Sequence, residues 1–455
     1  MYNMFRVIAN NAIKACCILY FTVRLATMKP ASRIQATIEI LERDQNIRVP
    51  LDSCVGDYMR NRRYIGSKDR RAVAERVYEI ARHHARINWW LDKHSVEITP
   101  RSRTICWLAL GEQADEKRLH DLLDGSGYAP EKLDDSEIAF AQKIVGLNIE
   151  HEDMPEGVLS ECPPEFEAVL RDYFGEGFKD EMLAMMVPAT LDVRANIFAM
   201  ERENVQSSLE KDGIETTLTP FSPWGLRCVE KAYLSKTKAM NKGWIEIQDE
   251  GSQLIAHVCD AKSGMQVLDY CAGGGGKTLA LAAAMKRKGR VVAMDLDEKR
   301  LEKGRRRYKK AGLADIIEVR PLSDIRHKKW LKRQKGTFDI VLTDVPCSGT
   351  GTWRRNPDMR WRNYGPTLNE LVEIQAEILD KVAKAVKVGG KLVYATCSLL
   401  PIENEEQVEK FLKNHPEFEI QPLDEALGLG TPFMRLTPHR HKTDGFFAAT
   451  LIRKE

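Results

Sequence analysis

Two cysteines and one aspartate occupy positions that a β-sheet could bring together. Cys347 lies in the stretch TDVPCSGTG, residues 343–351, which follows the apolar run FDIVL and also carries Asp344. Cys397 follows a second apolar run, KLVYAT. Such runs predict buried parallel strands, and the loops at the carboxyl ends of parallel strands are where open α/β sheets carry their chemistry. The pattern therefore predicts a site with two thiols and a carboxyl group at one edge of a sheet.

A glycine-rich turn, DYCAGGGGKT at residues 269–278, is the second feature suited to chemistry. It links a predicted strand to a predicted helix, where backbone N–H groups and the helix dipole favour a negatively charged ligand. A P-loop would need glycine at position 271, where Cys271 stands. Asp295 ends the next predicted strand, the position from which a carboxylate holds a ribose diol. Together these residues predict a nucleoside-cofactor site, for either NAD or S-adenosylmethionine.

The two thiols favour S-adenosylmethionine. Hydride transfer needs no cysteine at these strand ends, whereas carbon 5 of a pyrimidine becomes nucleophilic only after a thiolate adds to carbon 6. A base must then remove the C5 proton so that the thiol can leave. Asp344, protonated or hydrogen-bonded to ring N3, can stabilise the charge that builds on the ring. A single cysteine is more often a buried apolar residue, but two beside a cofactor crevice favour catalysis. These residues alone do not choose which thiol attacks.

The elements around these motifs predict an α/β protein. From Met265 onward strands alternate with helices, which predicts a doubly wound, mostly parallel sheet. Its longest helix is predicted to start at a capping box of Thr367 with Glu370 and to end at Gly389. Apolar residues spaced three and four apart predict helices upstream. We divide the chain into an extension at 1–27, disordered or preceding the native start, a helical domain at 28–150, a small α+β module at 163–245 and the main domain at 246–455.

Composition narrows the class of protein. The 455 residues are 30% charged and 43% hydrophobic, the balance of a soluble globular protein rather than a disordered or membrane one. The ten cysteines show neither metal-binding nor disulfide spacing, which predicts no metal and a reducing, cytoplasmic setting. Residues 286–335 hold 19 Lys and Arg against 7 Asp and Glu, a basic face suited to nucleic acid or simply a solvated surface. Nothing in the sequence demands more than a monomer.

Several motifs in order carry a resemblance to a known family. They are QDEGSQL, CAGGGGKT, DVPCSGTG followed by RRNPDMRW, YATCSLLPIENEEQV and the terminal DGFF. The set, spanning about 163–455, resembles the RNA cytosine-C5 methyltransferases of the Sun, Nol and Nop type, most closely the bacterial RsmB-like rRNA enzymes. Residues 30–145 look like the NusB-type domain of those enzymes.

This resemblance implies a Rossmann-like class I methyltransferase domain that methylates cytosine C5 in ribosomal RNA, of the small subunit (16S), with S-adenosylmethionine as cofactor. The upstream parts would help to dock RNA. A transfer-RNA methyltransferase is one alternative. A silent RNA-binding factor is another, although the intact site residues count against it.

The same resemblance implies roles for single residues. Cys397 of ATCS would be the nucleophile, and Cys347 of PCSG would help to release the product. Asp295 would bind the ribose and Asp324 would lie near the adenine. The family usually has Ala-Pro where this chain has two glycines, so we expect a more flexible cofactor loop here. The implied cofactor-binding residues are Cys271, Ala272, Gly273, Gly274, Gly275, Gly276, Lys277, Asp295, Asp324 and Asp344.

Overall fold

The computed structural model describes residues 28–454, so the predicted extension at 1–27 lies outside the described residues. Contacts divide these residues into two compact units. The first comprises the chain up to Pro164 together with residues 356–364, and the second comprises Glu165–Arg355 and the chain from Gly365 onward.

The first unit is helical. Its core contains Ile40, Val73, Val77 and Trp90, which come from three different helices. Its helices are α1 (Pro30–Asn46), α2 (Leu51–Asn61), α3 (Ser67–Arg82), α4 (His84–Lys93), α5 (Pro100–Leu110), α6 (Glu116–Leu122), α7 (Asp135–Ile144) and α8 (Glu156–Leu159).

The sequence between Ser67 and Leu91 predicts one amphipathic helix with a basic outer face, whereas the structure has two helices that meet at His83. Arg86, expected on the outer face, is buried. Its guanidinium donates to the Glu150 carboxylate at 2.9 Å. The buried Glu161 accepts the backbone N–H groups of Ala85 and Arg86 at 2.7 and 3.0 Å. The change of direction at His83 brings this part of the basic face into the interior.

Residues 356–364 complete the helical unit although they follow it by almost two hundred positions. The Leu51 N–H at the start of α2 donates to Asp358 Oδ2 at 2.9 Å. The Arg362 guanidinium donates to Asp44 Oδ2 at 2.5 Å, and the Trp361 ring stacks on His84 with centroids 4.6 Å apart. Six of the eight residues of the RRNPDMRW motif are therefore part of the helical unit.

The second unit contains a small antiparallel sheet and a large mixed sheet. The small sheet has the order β2-β3-β1-β4 and packs on a helix through Val193, Val205, Leu209 and Ile245. Its elements are α9 (Pro164–Phe174), α10 (Phe178–Ala184), β1 (Asp192–Ala195), α11 (Arg202–Lys211), β2 (Thr216–Leu218), β3 (Gly225–Cys228), α12 (Lys238–Asn241) and β4 (Ile245–Ile247).

The large sheet has the order β10-β12-β9-β8-β5-β6-β7, with β11 paired to β12. The pairs from β9 to β7 are parallel, and β12 is antiparallel to its neighbours. The strands are β5 (Gln266–Asp269), β6 (Arg290–Asp295), β7 (Ile317–Pro321), β8 (Phe338–Asp344), β9 (Val386–Thr396), β10 (Phe418–Ile420), β11 (Met434–Leu436) and β12 (Phe446–Arg453). The helices are α13 (Glu250–Val258), α14 (Gly276–Ala284), α15 (Glu298–Lys310), α16 (Ile325–Arg333), α17 (Leu368–Ala383), α18 (Glu405–Asn414) and α19 (Pro438–His441).

The large sheet confirms the predicted doubly wound architecture. Apolar helix faces cover it on both sides, and strands buried on both faces form the continuous apolar runs seen in the sequence. Helix α17 begins at the predicted Thr367–Glu370 capping box but ends at Ala383, because strand β9 already starts at Val386. The predicted end at Gly389 was wrong. Among the described residues no helix has the length and apolarity needed to cross a membrane.

Candidate active site

The two predicted cysteines meet. Strand register pairs Asp344 at the end of β8 with Ala395 near the end of β9, so both following loops lie at the same sheet edge. The Sγ atoms of Cys347 and Cys397 are 3.3 Å apart, a hydrogen-bond contact between free thiols. This hydrogen bond and burial raise the pKa of the Cys347 thiol well above its usual range. Cys347 therefore keeps its proton and can donate it to the sulfur of Cys397.

A buried glutamate, Glu403, fixes the loop that carries Cys347. Its Oε1 accepts the Ser348 N–H at 2.9 Å and its Oε2 accepts the Ser348 hydroxyl at 2.5 Å. The Gln375 amide donates to Glu403 Oε1 at 2.9 Å and to the carbonyl of Pro346 at 3.0 Å. The backbone is thus held on both sides of Cys347.

The loop that carries Cys397 is held in a similar way by Asn404. The Asn404 amide donates to the carbonyl of Ser398 at 3.0 Å, and its Oδ1 accepts the Thr396 hydroxyl at 2.6 Å. The Gly351 N–H donates to the carbonyl of Cys397 at 2.9 Å, which ties the two cysteine loops together. The sequence reasoning did not single out Glu403, Asn404 or Gln375. For Glu403 and Asn404, the signal in the sequence would have been that they are polar residues within a stretch of buried positions.

Lys277 of the glycine loop reaches the cysteine site. Its Nζ donates to Asp344 Oδ2 at 2.6 Å. Burial lowers the pKa of the Lys277 ammonium, but the charges of Asp344, Asp269 and Cys397 raise this pKa more, so Lys277 carries a positive charge. Behind it, burial raises the pKa of Asp269 to about 7, while the Thr278 hydroxyl donates to this carboxyl group at 2.7 Å. The structure therefore joins Lys277 and Asp344, predicted as separate cofactor-binding residues, in one ion pair.

The glycine loop turns sharply into α14 and is held by arginines. Gly273 and Gly275 have φ angles of 54° and 79°, in the left-handed region that favours glycine. The Arg307 guanidinium donates to the carbonyl of Gly274 at 2.5 Å, and Arg194 of β1 donates to the carbonyl of Gly276 at 2.7 Å. Arg194 is buried, which lowers its pKa to about 10. These contacts restrain the loop where the sequence predicts flexibility.

Cys271 and Ala272 support the loop through burial and backbone contacts. Burial raises the pKa of the Cys271 thiol well above its usual range, so Cys271 is not a third thiolate of the site. The Ala272 N–H donates to the carbonyl of Met294 at 2.9 Å, and its own carbonyl accepts the Gly275 N–H at 2.8 Å.

Asp295 lies beside the glycine loop at the end of β6. Its Oδ2 accepts the Gly273 N–H at 2.7 Å and its Oδ1 accepts the Asp297 N–H at 2.8 Å. The next residue, Leu296, is 69% exposed, and Ile325 after β7 is 60% exposed. Each of these apolar residues directly follows a predicted cofactor-binding acid, a signal that the sequence reasoning missed.

Asp324 caps helix α16 at its start. Its Oδ1 accepts the Arg326 N–H at 2.8 Å, and Arg326 Nη2 lies 2.6 Å from its Oδ2. The hydrogen bonds from Arg326 lower the pKa of Asp324 to about 2. The backbone just before Asp324 is close to Asp295, since the Leu322 N–H donates to the Asp295 carbonyl at 2.8 Å.

Three motifs that are far apart in the sequence meet behind the cysteine loops. Arg354 donates to Asp444 at 2.6 Å and to Asp249 at 3.2 Å, and Arg355 donates to Asp444 at 2.8 Å. Burial raises the pKa of Asp249 to about 6. These ion pairs link QDEGSQL, RRNPDMRW and DGFF, so the three motifs share a role as anchors for the loop after Cys347.

Comparisons with known proteins agree with this geometry. Residues 256–452 match the family described as 16S rRNA methyltransferase RsmB/F. Ribosomal RNA small subunit methyltransferase B of Photorhabdus laumondii is 33% identical over 263 residues, 58% of this chain and 59% of that protein. A probable ribosomal RNA small subunit methyltransferase B of Synechocystis is 34% identical over 270 residues, 58% of this chain and 60% of the relative. The matched stretch is thus under two thirds of each relative.

Solved structures show that the similarity includes the three-dimensional fold. The crystal structure of PH0851 has a TM-score of 0.76 at 27% identity, covering 94% of this chain and 100% of that one. The structure of NSun6 from Pyrococcus horikoshii with SFG shares the fold, with a TM-score of 0.58 at 21% identity, covering 65% of this chain and 100% of that one.

The fold and the arrangement of loops at the sheet edge define a Rossmann-like class I methyltransferase domain, preceded by a helical NusB-like domain and a small α+β module, as the sequence predicted. Within that class the chain is similar to the RsmB/F family over residues 256–452 and to small-subunit methyltransferases B over 58% of its length. The resemblance to the Sun, Nol and Nop type is confirmed.

Proposed function

We propose that this protein uses S-adenosylmethionine to methylate carbon 5 of a cytosine in ribosomal RNA. The observation that carries the proposal is the pair of thiols, 3.3 Å apart at the ends of neighbouring parallel strands. The RsmB/F match and the names of the curated relatives favour small-subunit rRNA over transfer RNA. A monomer in the cytoplasm is part of the proposal.

The residues at the sheet edge fit the cofactor. Asp295 is oriented by two backbone N–H groups, which suits a carboxylate that accepts hydrogen bonds from a ribose diol. The exposed side chains of Leu296 and Ile325 offer apolar surface for an adenine ring, with Asp324 beside them. The glycine loop would hold the methionine part of the cofactor, which supplies an electrophilic methyl group when bound.

Cys397 begins the reaction in this proposal. Its thiolate forms a bond from Sγ to C6 of the cytosine, and the ring electron pair moves to C5. Lys277 brings a positive charge to the cysteine site through its contact with Asp344. Asp344, oriented by Lys277 at 2.6 Å, hydrogen-bonds the ring and stabilises the charge that develops there.

The covalent bond must break after methylation. C5 would take the methyl group that bound S-adenosylmethionine supplies, with S-adenosylhomocysteine as the leaving group. C5 then loses its proton to a base, so that the ring double bond returns and the bond between Sγ and C6 breaks. In this proposal Cys347, whose sulfur lies 3.3 Å from that of Cys397, assists the release.

The test measures methyl transfer from labelled S-adenosylmethionine to 16S rRNA and to transfer RNA, followed by bisulfite sequencing of the product. We expect the wild-type protein to convert a cytosine of 16S rRNA to 5-methylcytosine. Cys397→Ala should abolish transfer while its Kd for S-adenosylmethionine stays unchanged. Normal turnover by Cys397→Ala would contradict the nucleophile, and methylation at another ring atom would contradict the proposed chemistry.

A further inference from the structure

Helix α16 exposes a patch of cations without acids among them. Lys328, Lys329, Lys332 and Arg333, which we name the α16 basic surface, are all exposed. The sequence from Ile325 to Phe338 contains no Asp or Glu. Among the described residues, none of these four cations forms an ion pair with a carboxylate. The patch is therefore a concentrated positive charge that the protein itself does not neutralise.

The spacing of these cations lowers the stability of helix α16 when nothing is bound to it. Lys328 and Lys332 are four positions apart, as are Lys329 and Arg333, so like charges neighbour each other on the helix surface. Two other helices of the chain pair some of their cations with acids one turn away. Arg71 of α3 lies 2.9 Å from the Glu75 carboxylate, and Lys381 of α17 lies 2.7 Å from Glu377. In those pairs an acid offsets the cation, whereas α16 retains a repulsion that an external polyanion would relieve.

The position of α16 suits a substrate that enters the active site. The helix starts directly after the carboxyl end of β7, at the same edge of the parallel sheet as the cysteine loops. It also borders a shallow groove in which the Arg320 guanidinium lies over the Trp330 ring at 3.9 Å. The groove is lined by Arg320, Arg326, His327, Lys329, Trp330 and Arg333.

We propose that the α16 basic surface binds the phosphodiester backbone of the RNA strand on one side of the target cytosine. The inference rests on the proposed function and names how that substrate is held. Lysine ammonium groups act as point charges towards phosphates, so the surface contributes affinity and orientation without reading bases. Binding to this surface releases counterions from the RNA and is therefore weakened by salt.

The experiment compares two variants in which the same number of positive charges is removed. The first is Lys328→Gln, Lys329→Gln, Lys332→Gln. The control is Lys384→Gln, Lys410→Gln, Lys413→Gln, which replaces lysines on or beside helices α17 and α18. Arg326 is left intact because it contacts Asp324. Fluorescence anisotropy with a fragment of 16S rRNA gives the Kd at several salt concentrations, and the Tm of each variant reports folding.

We expect the α16 variant to bind RNA roughly tenfold more weakly at physiological salt. The logarithm of its affinity plotted against the logarithm of the salt concentration should have a less steep slope. We expect the slope to decrease in magnitude by about 0.7–0.9 for each phosphate that no longer contacts a lysine. Its KM for RNA should rise while kcat and the Kd for S-adenosylmethionine stay near wild type, and the control variant should bind RNA as wild type does.

Equal affinities and slopes for the two variants would overturn the inference even if the wild-type protein methylates RNA. Absence of methylation by the wild-type protein would instead overturn the proposed function, and the anisotropy slopes would still test the surface.

Discussion

The two halves of the active site are held in different ways. The cysteine loops are fixed by neighbouring polar residues of the same sheet edge, above all the buried Glu403 and Asn404. The glycine loop is fixed by arginines from elsewhere in the unit, Arg194 of β1 and Arg307 of α15, which bind its carbonyl groups. In the proposed function the cysteine side holds reacting atoms in place, whereas the cofactor side holds a backbone whose N–H groups face a ligand. Acidic and amide side chains fix the backbone in the first half, and cationic side chains fix it in the other.

Removing Glu403 should damage the cysteine half most. Glu403→Ala leaves the Ser348 N–H and the Gln375 amide without their partner, so the loop with Cys347 shifts. We expect kcat to fall about 100-fold, the effect of misplacing a reacting group by roughly an ångström. The Kd for S-adenosylmethionine should not change.

Single-turnover kinetics and calorimetric titration measure these two quantities, and the Tm shows whether the variant folds. Glu403→Gln keeps one acceptor for Ser348 and should recover part of kcat. An equal decrease of cofactor affinity and kcat in Glu403→Ala would contradict the division of the site into two separately held halves.

Removing Arg307 should affect the cofactor half of the site. We expect a smaller effect than that of removing Glu403. Arg307→Met breaks the hydrogen bond to the Gly274 carbonyl and the ion pair with Glu246 at 2.7 Å. We expect the Kd for S-adenosylmethionine to rise roughly tenfold, the value of one charge-assisted hydrogen bond, with kcat at saturation nearly unchanged.

Arg305→Met is the matched control, because Arg305 pairs with the exposed Glu302 on the same helix and not with the glycine loop. Isothermal titration calorimetry of both variants gives the comparison. If Arg305→Met weakened cofactor binding as much as Arg307→Met, the removal of helix charge and not the contact to the glycine loop would be responsible.

The sequence predicts those parts of the site that depend on local pattern. Cys347, Cys397 and Asp295 each follow an apolar strand, so their shared sheet edge follows from the parallel topology. Contacts between distant residues leave no such pattern. Arg194 is 82 positions from Gly276, and Asp358 is 307 positions from Leu51. Tertiary packing decides these contacts.

Asp324 and Arg86 show a second limit. The sequence predicts a basic outer face for the helix that holds Arg86, yet Arg86 is buried beside Glu161, and Asp324 has its own partner in Arg326 of the helix that it caps. A charge in the sequence does not reveal whether the protein supplies its partner. For the α16 basic surface, the sequence from Ile325 to Phe338 contains no acid that could pair with its cations.

Covalent trapping of Cys347→Ala on RNA tests the central claim most directly. If Cys397 attacks and Cys347 assists release, Cys347→Ala mixed with S-adenosylmethionine and 16S rRNA should form a protein–RNA complex that survives a denaturing gel. The double variant Cys347→Ala, Cys397→Ala should form none. Free product from Cys347→Ala, or a complex that persists without Cys397, would contradict the assignment of the two thiols.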